Sequence, residues 1–530
     1  MSTPLTPAPT ITTDAAVARA LAADLTAAGY TVDALDALWG ADAAAALFRG
    51  VRAPAVRALA ARRAQNDLPA IAAIATLFVL GLPVHSTEAS AALPTVGMRA
   101  LVDAGLVGIA GDDVVPLVDL RPYAFVDDAG AGSWWILSDL GELALGGALG
   151  EDHVLGIGGA SNTLSGLLLP VPVERVLDLG TGCGIQAMHA RRFADVVVAT
   201  DISERALDIA RFNAALNGID GIDFRLGSLF EPVAGERFDR IVSNPPFVIT
   251  PRRDDVPAYE YRDAGMVGDG LVESVLRGLS AHLAPGGTAQ LLGNWEDRWG
   301  QEGLSRVRSW FDADTDTDAA TVQPLDVWVV ERERQDPIRY AETWIRDGGT
   351  RPGGEEFDRL VAAWLDDFAD RRVTGVGFGY VLVRRPIEAG TPPLRRFERM
   401  PEALGTNPAG LGATVARTFD AVDWLRAHGD DALGRARLAV AGDVTEERYY
   451  WPGNDDPTVM TLVQGGGFGR RVDADTALAA FVGASDGELS VRAIMDAIAQ
   501  ITGVDPDALA ADLLPRIREL VVDGLLRPAA

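Results

Sequence analysis

The chain has no lysine. Its 47 basic residues are all arginine, set against 75 aspartates and glutamates for a net charge of −28. A protein this negative repels phosphate backbones unless its arginines gather on one face, which counts against long nucleic acid as a partner. Cysteine occurs once, as Cys183, so no disulfide can form within the chain. Five histidines without a Cys/His cluster give no basis for a structural zinc site, and no metal is expected. Long apolar runs are missing too. The longest, Ala70–Leu82, is far short of the roughly 20 residues a membrane helix needs. Residues 1–13 are rich in Pro and Thr and lack the basic start and apolar core of a signal peptide. They read as a disordered tail on a cytoplasmic protein.

With 530 residues, 48% of them hydrophobic, the chain can build several cores. Residues 14–135 read as a mostly helical N-terminal domain, with breaks at Gly29, Gly40, Pro54, Pro69 and Pro83. It closes in a helix, a glycine and two short strands around Met98–Val118, the outline of a winged helix. Residues 140–388 alternate apolar strands with helices. Seven strands are expected, at Arg175–Leu179, Val196–Thr200, Ile222–Leu226, Arg240–Ser243, Thr288–Leu292, Leu325–Glu331 and Gly377–Val383. That alternation predicts an α/β fold with a doubly wound, Rossmann-like, mostly parallel sheet. A helical insert, Gly354–Arg371, stands where the last two strands could have been joined by a tight hairpin. Residues 389–401, rich in Pro and Arg, read as a linker. Residues 402–530 read as an α+β C-terminal domain whose end again has a winged-helix-like outline.

Two motifs carry chemistry. The first is Val176-Leu177-Asp178-Leu179-Gly180-Thr181-Gly182-Cys183-Gly184, an apolar strand running into a glycine-rich turn. Three alternate glycines let the backbone turn sharply and approach a ligand. Asp201, at the end of the next strand, is placed to hold ribose hydroxyls. A dinucleotide site would need Gly-x-Gly-x-x-Gly, to bring a pyrophosphate to a helix N-terminus. Here the pattern is Gly-x-Gly-x-Gly, with an acid two residues before it that would repel pyrophosphate and attract an ammonium.

The second motif is Asn244-Pro245-Pro246-Phe247, after the strand ending at Ser243. It can hold a planar, weakly nucleophilic NH2 by hydrogen bonds and stack a ring on it, while the prolines stiffen the loop. Neighbouring stretches add candidates: Ser161, Asn162 and Thr163 before the first strand, Arg252 and Arg253 just past the tetrad, and the phrases Tyr259–Gly265 and Gly268-Asp269-Gly270-Leu271.

In combination, order and spacing, these motifs resemble the class I S-adenosylmethionine-dependent methyltransferases, in the amino-methylating branch that carries Asn-Pro-Pro-Phe/Tyr. The branch includes release-factor glutamine N5-methyltransferases, ribosomal-RNA guanine methyltransferases and adenine-N6 methyltransferases. The resemblance covers residues 140–388. It implies a seven-stranded methyltransferase sheet and S-adenosylmethionine as methyl donor. Gly180, Thr181, Gly182 and Gly184 would lie along the methionine moiety, with Asp178 at its ammonium or ordering the loop. Asp201 would hold the ribose and Ile202 would lie against the adenine. Ser228 stands where the family has an acid touching the adenine amine; it would still hydrogen-bond the adenine without adding charge, or Leu229 would supply a backbone N–H there instead. Asn244 and the Pro245 carbonyl would accept from the acceptor NH2, Pro246 would hold the turn, and Phe247 would pack on the acceptor plane. Glu260 and Gly268–Leu271 resemble the phrase that glutamine methyltransferases carry after the tetrad, although Tyr261 replaces its proline. A protein glutamine (N5) in a translation factor or ribosomal protein is therefore the first expectation. The exocyclic amine of a base in rRNA or tRNA is the alternative, with DNA behind it.

Overall fold

The computed structural model describes residues 10–145, 150, 152–252, 256, 265–312, 324–388 and 393–529. Contacts divide the chain into two units: Met1–Phe125 with Ala131–Ser165 and Pro172–Met400, and Val126–Gly130 with Gly166–Val171 and Pro401–Ala530. No helix among the described residues is long and apolar enough to cross a membrane.

The first unit begins with seven helices: Ala15–Ala27, Val32–Trp39, Ala41–Phe48, Ala53–Ala64, Ala70–Phe78, Ser86–Ala92 and Met98–Asp103. The first two start at side-chain caps, Asp14 and Thr31, whose oxygens accept from Ala16 and Ala34 N–H. The strands Val84–His85, Asp113–Pro116 and Val107–Ala110 pair in that order as a small antiparallel sheet. The two strands that follow, Val118–Asp127 and Gly130–Asp139, pair with each other. The sequence reading did not anticipate them, because Arg121-Pro122 interrupts the apolar alternation that marks a strand.

The central sheet holds β1 (Val173–Leu179), β2 (Ala194–Asp201), β3 (Ile222–Leu226), β4 (Phe238–Ser243), β5 (Leu283–Arg298), β6 (Asp326–Gln335), β7 (Val373–Arg384) and β8 (Arg395–Arg399). Their order is β8-β6-β7-β5-β4-β1-β2-β3, with β7 antiparallel to both neighbours and every other pairing parallel. Strands covered on both faces become continuous apolar runs. Leu177, Val198, Ile241, Leu291, Val329 and Val381 are accordingly buried in one core. Helices α1 (Ile185–Ala190), α2 (Glu204–Leu216), α3 (Gly270–His282), α4 (Gly303–Trp310), α5 (Pro337–Asp347) and α6 (Glu355–Asp370) complete the layers.

All seven expected strands are present, and β8 makes an eighth. It lies in the stretch read as a linker. Its Arg-Arg-Phe-Glu-Arg sequence lacks apolar alternation because it is an edge strand, where charge is tolerated. Its charged side chains find partners on β6: Glu398 Oε1 accepts from Trp328 Nε1 at 2.6 Å, and Arg399 pairs with Glu331 at 2.6 Å. The insert between β6 and β7 contains two helices, α5 and α6, where one was expected.

The second unit is α+β. Its helix Gly412–Ala427 precedes a sheet in which Arg437–Val440 lies between Asp486–Ser490 and Leu526–Pro528. A second antiparallel sheet runs Val444–Tyr449, Val459–Gln464, Arg471–Ala474. Helices Thr476–Gly483, Val491–Thr502 and Pro506–Val522 bury Phe481, Ile494, Leu513 and Ile517 together.

One buried side chain ties the strand Gly130–Asp139 to the sheet layer of the first unit. Asn213 in α2 accepts from Leu137 N–H at 2.8 Å, and its amide donates to the carbonyls of Leu137 and Cys183 at 2.9 Å each. Replacing it leaves three buried groups unpaired. Asn213→Ala should lower stability by about 3 kcal/mol, read as a shift in the urea midpoint followed by tryptophan fluorescence.

Candidate active site

The first turn of the site lies between β1 and α1. Gly180, Gly182 and Gly184 all have positive φ, at 74°, 54° and 87°, which other residues adopt only with strain. The N–H groups of Gly180 and Thr181 donate to the Thr200 carbonyl, at 2.9 Å each. A Cβ on Gly184 would stand 2.9 Å from Ala210 Cβ, so this glycine seats α1 against α2. A Cβ on Gly180 or Gly182 would meet nothing within 4 Å. These two face open space.

Asp178 lies beneath the turn with no exposed surface. Its Oδ2 accepts from the Thr181 hydroxyl at 2.5 Å. Burial pushes its carboxyl up to about 7, against the pull of the Thr181 hydroxyl and the Ala187 N–H. Asp178 thus orders the turn from below. Asp201, at the end of β2, accepts from Gly182 N–H at 2.9 Å through Oδ2 and from Ser203 N–H at 2.9 Å through Oδ1. Burial raises its carboxyl too, with the N–H groups of Ser203, Gly182 and Ile202 opposing.

A cavity of about 320 Å³ opens at this end of the sheet. Gly180, Thr181, Gly182, Asp201 and Ile202 line one side, with Ser228 and Leu229 from the turn after β3. Asn244, Pro245 and Pro246, following β4, complete the wall. Leu229 has a φ of +47°, which turns the backbone there in a way uncommon outside glycine. Asp178, Gly184 and Phe247 do not line the cavity; Phe247 packs against the core of the central sheet.

Of the other candidates, Ser161 lines the cavity and Asn162 and Thr163 do not. Leu271 lines it as well, whereas Asp269 is a brace: it accepts from Glu296 N–H at 2.9 Å and holds Arg306 at 2.5 Å. The Arg252 guanidinium donates to the Met266 carbonyl at 3.1 Å. Arg253 and the run Tyr259–Ala264, with Glu260 and Tyr261, lie outside the described residues.

His153 lines the cavity at the head of the stretch His153–Leu164, which the sequence pointed to as part of the pocket; sequence reasoning missed Gln186 and Met266 on the lining, and Asp139 behind it. Asp139 accepts from Val154 N–H at 2.8 Å and forms a buried ion pair with Arg205, so it fixes the segment that carries His153. Burial holds the His153 imidazole below its ordinary range, with Asp139 pulling the other way. No local signal marks Asp139, because its contacts come from residues 15 and 66 positions away.

The residues fit S-adenosylmethionine. The cavity is of ligand size, Asp201 offers a carboxylate at the mouth of a glycine turn, and Ile202 offers an exposed apolar side chain. On the same lining, Asn244 Oδ1 is buried with no hydrogen-bond partner among the described residues. An orphaned buried acceptor is costly unless a donor arrives to fill it.

Sheet order, glycine turn and cavity together resemble those of the class I S-adenosylmethionine-dependent methyltransferases. Comparison with known families agrees: residues 158–257 match the methyltransferase small domain. Residues 27–117 and 416–528 match two domains of unknown function (DUF7059 and DUF7782). Among curated proteins, the chain is 40% identical over 131 residues to a release factor glutamine methyltransferase of Xylella fastidiosa, covering 23% of this chain and 48% of that protein. It is 36% identical over 151 residues to a ribosomal protein uL3 glutamine methyltransferase of Bradyrhizobium diazoefficiens, covering 27% and 46%. A release factor glutamine methyltransferase of Deinococcus radiodurans is 38% identical over 129 residues, covering 23% and 46%. The chain therefore spans about half the length of these relatives.

The raised carboxyl of Asp178 has a consequence for stability. The folded state holds this proton up to about pH 7, whereas an exposed aspartate loses it near 3.8. The stability it contributes is complete below about pH 4 and is lost as pH rises towards 7, at a slope nearing about 1.4 kcal/mol per unit. Asp178→Asn should flatten that fall, measured by urea unfolding across pH 4 to 8.

Proposed function

We propose that this protein transfers a methyl group from S-adenosylmethionine to the side-chain amide of a protein glutamine, in a translation factor or ribosomal protein. The observation that carries the reading is the buried Asn244 Oδ1, without a hydrogen-bond partner among the described residues, on the lining of the cavity that the glycine turn shares. When bound, S-adenosylmethionine supplies an electrophilic methyl group on a sulfonium. Asp201 holds the ribose hydroxyls, Gly180 and Gly182 leave room for the methionine end, and Ile202 covers one face of the adenine. Asn244 Oδ1 and the Pro245 carbonyl each accept one N–H of the acceptor, so that its nitrogen faces the donor side of the cavity. An amide nitrogen is a poor nucleophile because its lone pair is delocalised. Holding it in line supplies much of the rate, and its proton can leave after the methyl has arrived. Pro245 and Pro246 limit the backbone freedom of the loop.

A protein acceptor is favoured over RNA by the glutamine methyltransferases that the chain resembles and by its net charge of −28. Such an acceptor places the enzyme in the cytoplasm, with the flanking helical and α+β regions available to dock it. The test is to incubate extract of a deletion strain with the enzyme and S-adenosylmethionine labelled in the methyl group. Label should survive nuclease and be released by protease as N5-methylglutamine. Label that survives protease and is lost to nuclease would show the acceptor to be RNA.

Two variants separate donor from acceptor. Asp201→Ala should raise the donor dissociation constant tenfold or more, about 1.4 kcal/mol, by calorimetry. Asn244→Ala should leave that constant unchanged and cut turnover at least a hundredfold, about 2.7 kcal/mol.

A further inference from the structure

The acceptor tetrad sits in a segment, Asn244–Arg252, that has no regular secondary structure. Its position depends on what grips its two ends. At the near end the Ser243 hydroxyl donates to the Leu179 carbonyl at 2.7 Å, tying the tetrad to the strand that feeds the glycine turn. At the far end the grip comes from the β6–β7 insert. The Tyr340 hydroxyl, on α5, accepts from Ile249 N–H at 2.9 Å and from Asn294 Nδ2 at 2.8 Å.

Tyr340 is well fixed for this. Asp336 caps α5, accepting from Ile338 and Arg339 N–H at 2.9 and 3.0 Å, and Pro337 opens the first turn. The Tyr340 ring has no exposed surface; it stacks on Phe378 at 5.6 Å and meets Trp364 and Phe368 at 5.8 and 5.9 Å. Val248, Ile249 and Val256, all just past the tetrad, are buried in the same cluster as α5 and α6. The insert is thus built onto the acceptor segment, and the Tyr340 hydroxyl meets it two residues after Phe247.

We infer that the β6–β7 insert is an acceptor brace and that Tyr340 is a positioning residue for Asn244-Pro245-Pro246-Phe247. The inference rests on the methyl-transfer reading of the site. Tyr340 touches neither donor nor acceptor; its hydroxyl fixes the end of the segment whose start Ser243 fixes. Asn294 belongs to the same brace, because it joins β5 to the hydroxyl that holds Ile249. A two-point grip keeps the buried Asn244 oxygen aimed without a ligand to hold it.

Tyr340→Phe removes only the hydroxyl. Amide exchange should be read by mass spectrometry on peptides spanning 244–252, where the prolines contribute no amide and Ile249 is one of few reporters. The variant should exchange faster there by tenfold or more. The dissociation constant for S-adenosylmethionine should stay within twofold of wild type. The initial rate of label transfer into protein of the deletion-strain extract should fall at least tenfold. Trp364→Phe, in the same cluster but without a bond to the segment, should lower the melting temperature and leave exchange and rate unchanged. Wild-type exchange and rate in Tyr340→Phe would overturn the brace. A rate loss in Trp364→Phe equal to that in Tyr340→Phe would do the same, since packing alone would then account for it. If wild-type enzyme labels no protein, the glutamine reading falls, and exchange at Ile249 alone decides the brace.

Discussion

The hydrogen bond from Gly182 N–H to the Asp201 carboxylate holds the site together. It joins the turn after β1 to the end of β2, and so converts two neighbouring strand ends into one rigid rim. A backbone N–H bonded to a charged acceptor is among the stronger hydrogen bonds in a protein. Asp201 can take this role because Ser203 N–H occupies its other oxygen, fixing the carboxylate in one orientation. From below, Asp178 and Thr181 stop the turn collapsing into the sheet. The turn is left with two glycines facing open space and a carboxylate at its mouth.

The acceptor side is organised differently. The donor rim is made by backbone groups within one βαβ unit. The tetrad, in contrast, is carried on an irregular segment. Its rigidity comes from proline at two consecutive positions and from packing of the residues behind it. The cluster formed by Val248, Ile249, Tyr340, Trp364 and Phe368 draws on a loop after β4 and on two helices inserted between β6 and β7. Aim at the donor side is therefore local, and aim at the acceptor side is borrowed from a distant part of the chain.

The residues proposed to hold the donor come together in the structure. Gly180, Thr181, Gly182, Asp201 and Ile202 were named from the sequence and line one cavity with Asn244. The inner strands of the sheet were visible because strands buried on both faces are apolar throughout. The strand β8 was not visible, since its arginines and glutamate look like linker and become a strand only through pairing with β6. Asp269 looked like part of a substrate-binding phrase and is instead the partner of Arg306 and of the Glu296 backbone. Asp178 was weighed as a ligand to an ammonium or as an organiser of the loop, and its complete burial favours the second.

By itself the sequence determined the sheet, the glycine turn and the pairing of a donor motif with an acceptor tetrad. These are written in runs of neighbouring residues, where strand period, positive φ and fixed proline angles act over a few positions. Only the tertiary structure decided which of those residues face the cavity and what holds them there. Asp139 against Arg205 and Val154, Asn213 against the strand Gly130–Asp139, and Tyr340 beneath Ile249 join residues 15 to 91 positions apart. No local pattern encodes such pairs. They form because a buried polar group must find a partner, and the folded chain settles which partner is in reach.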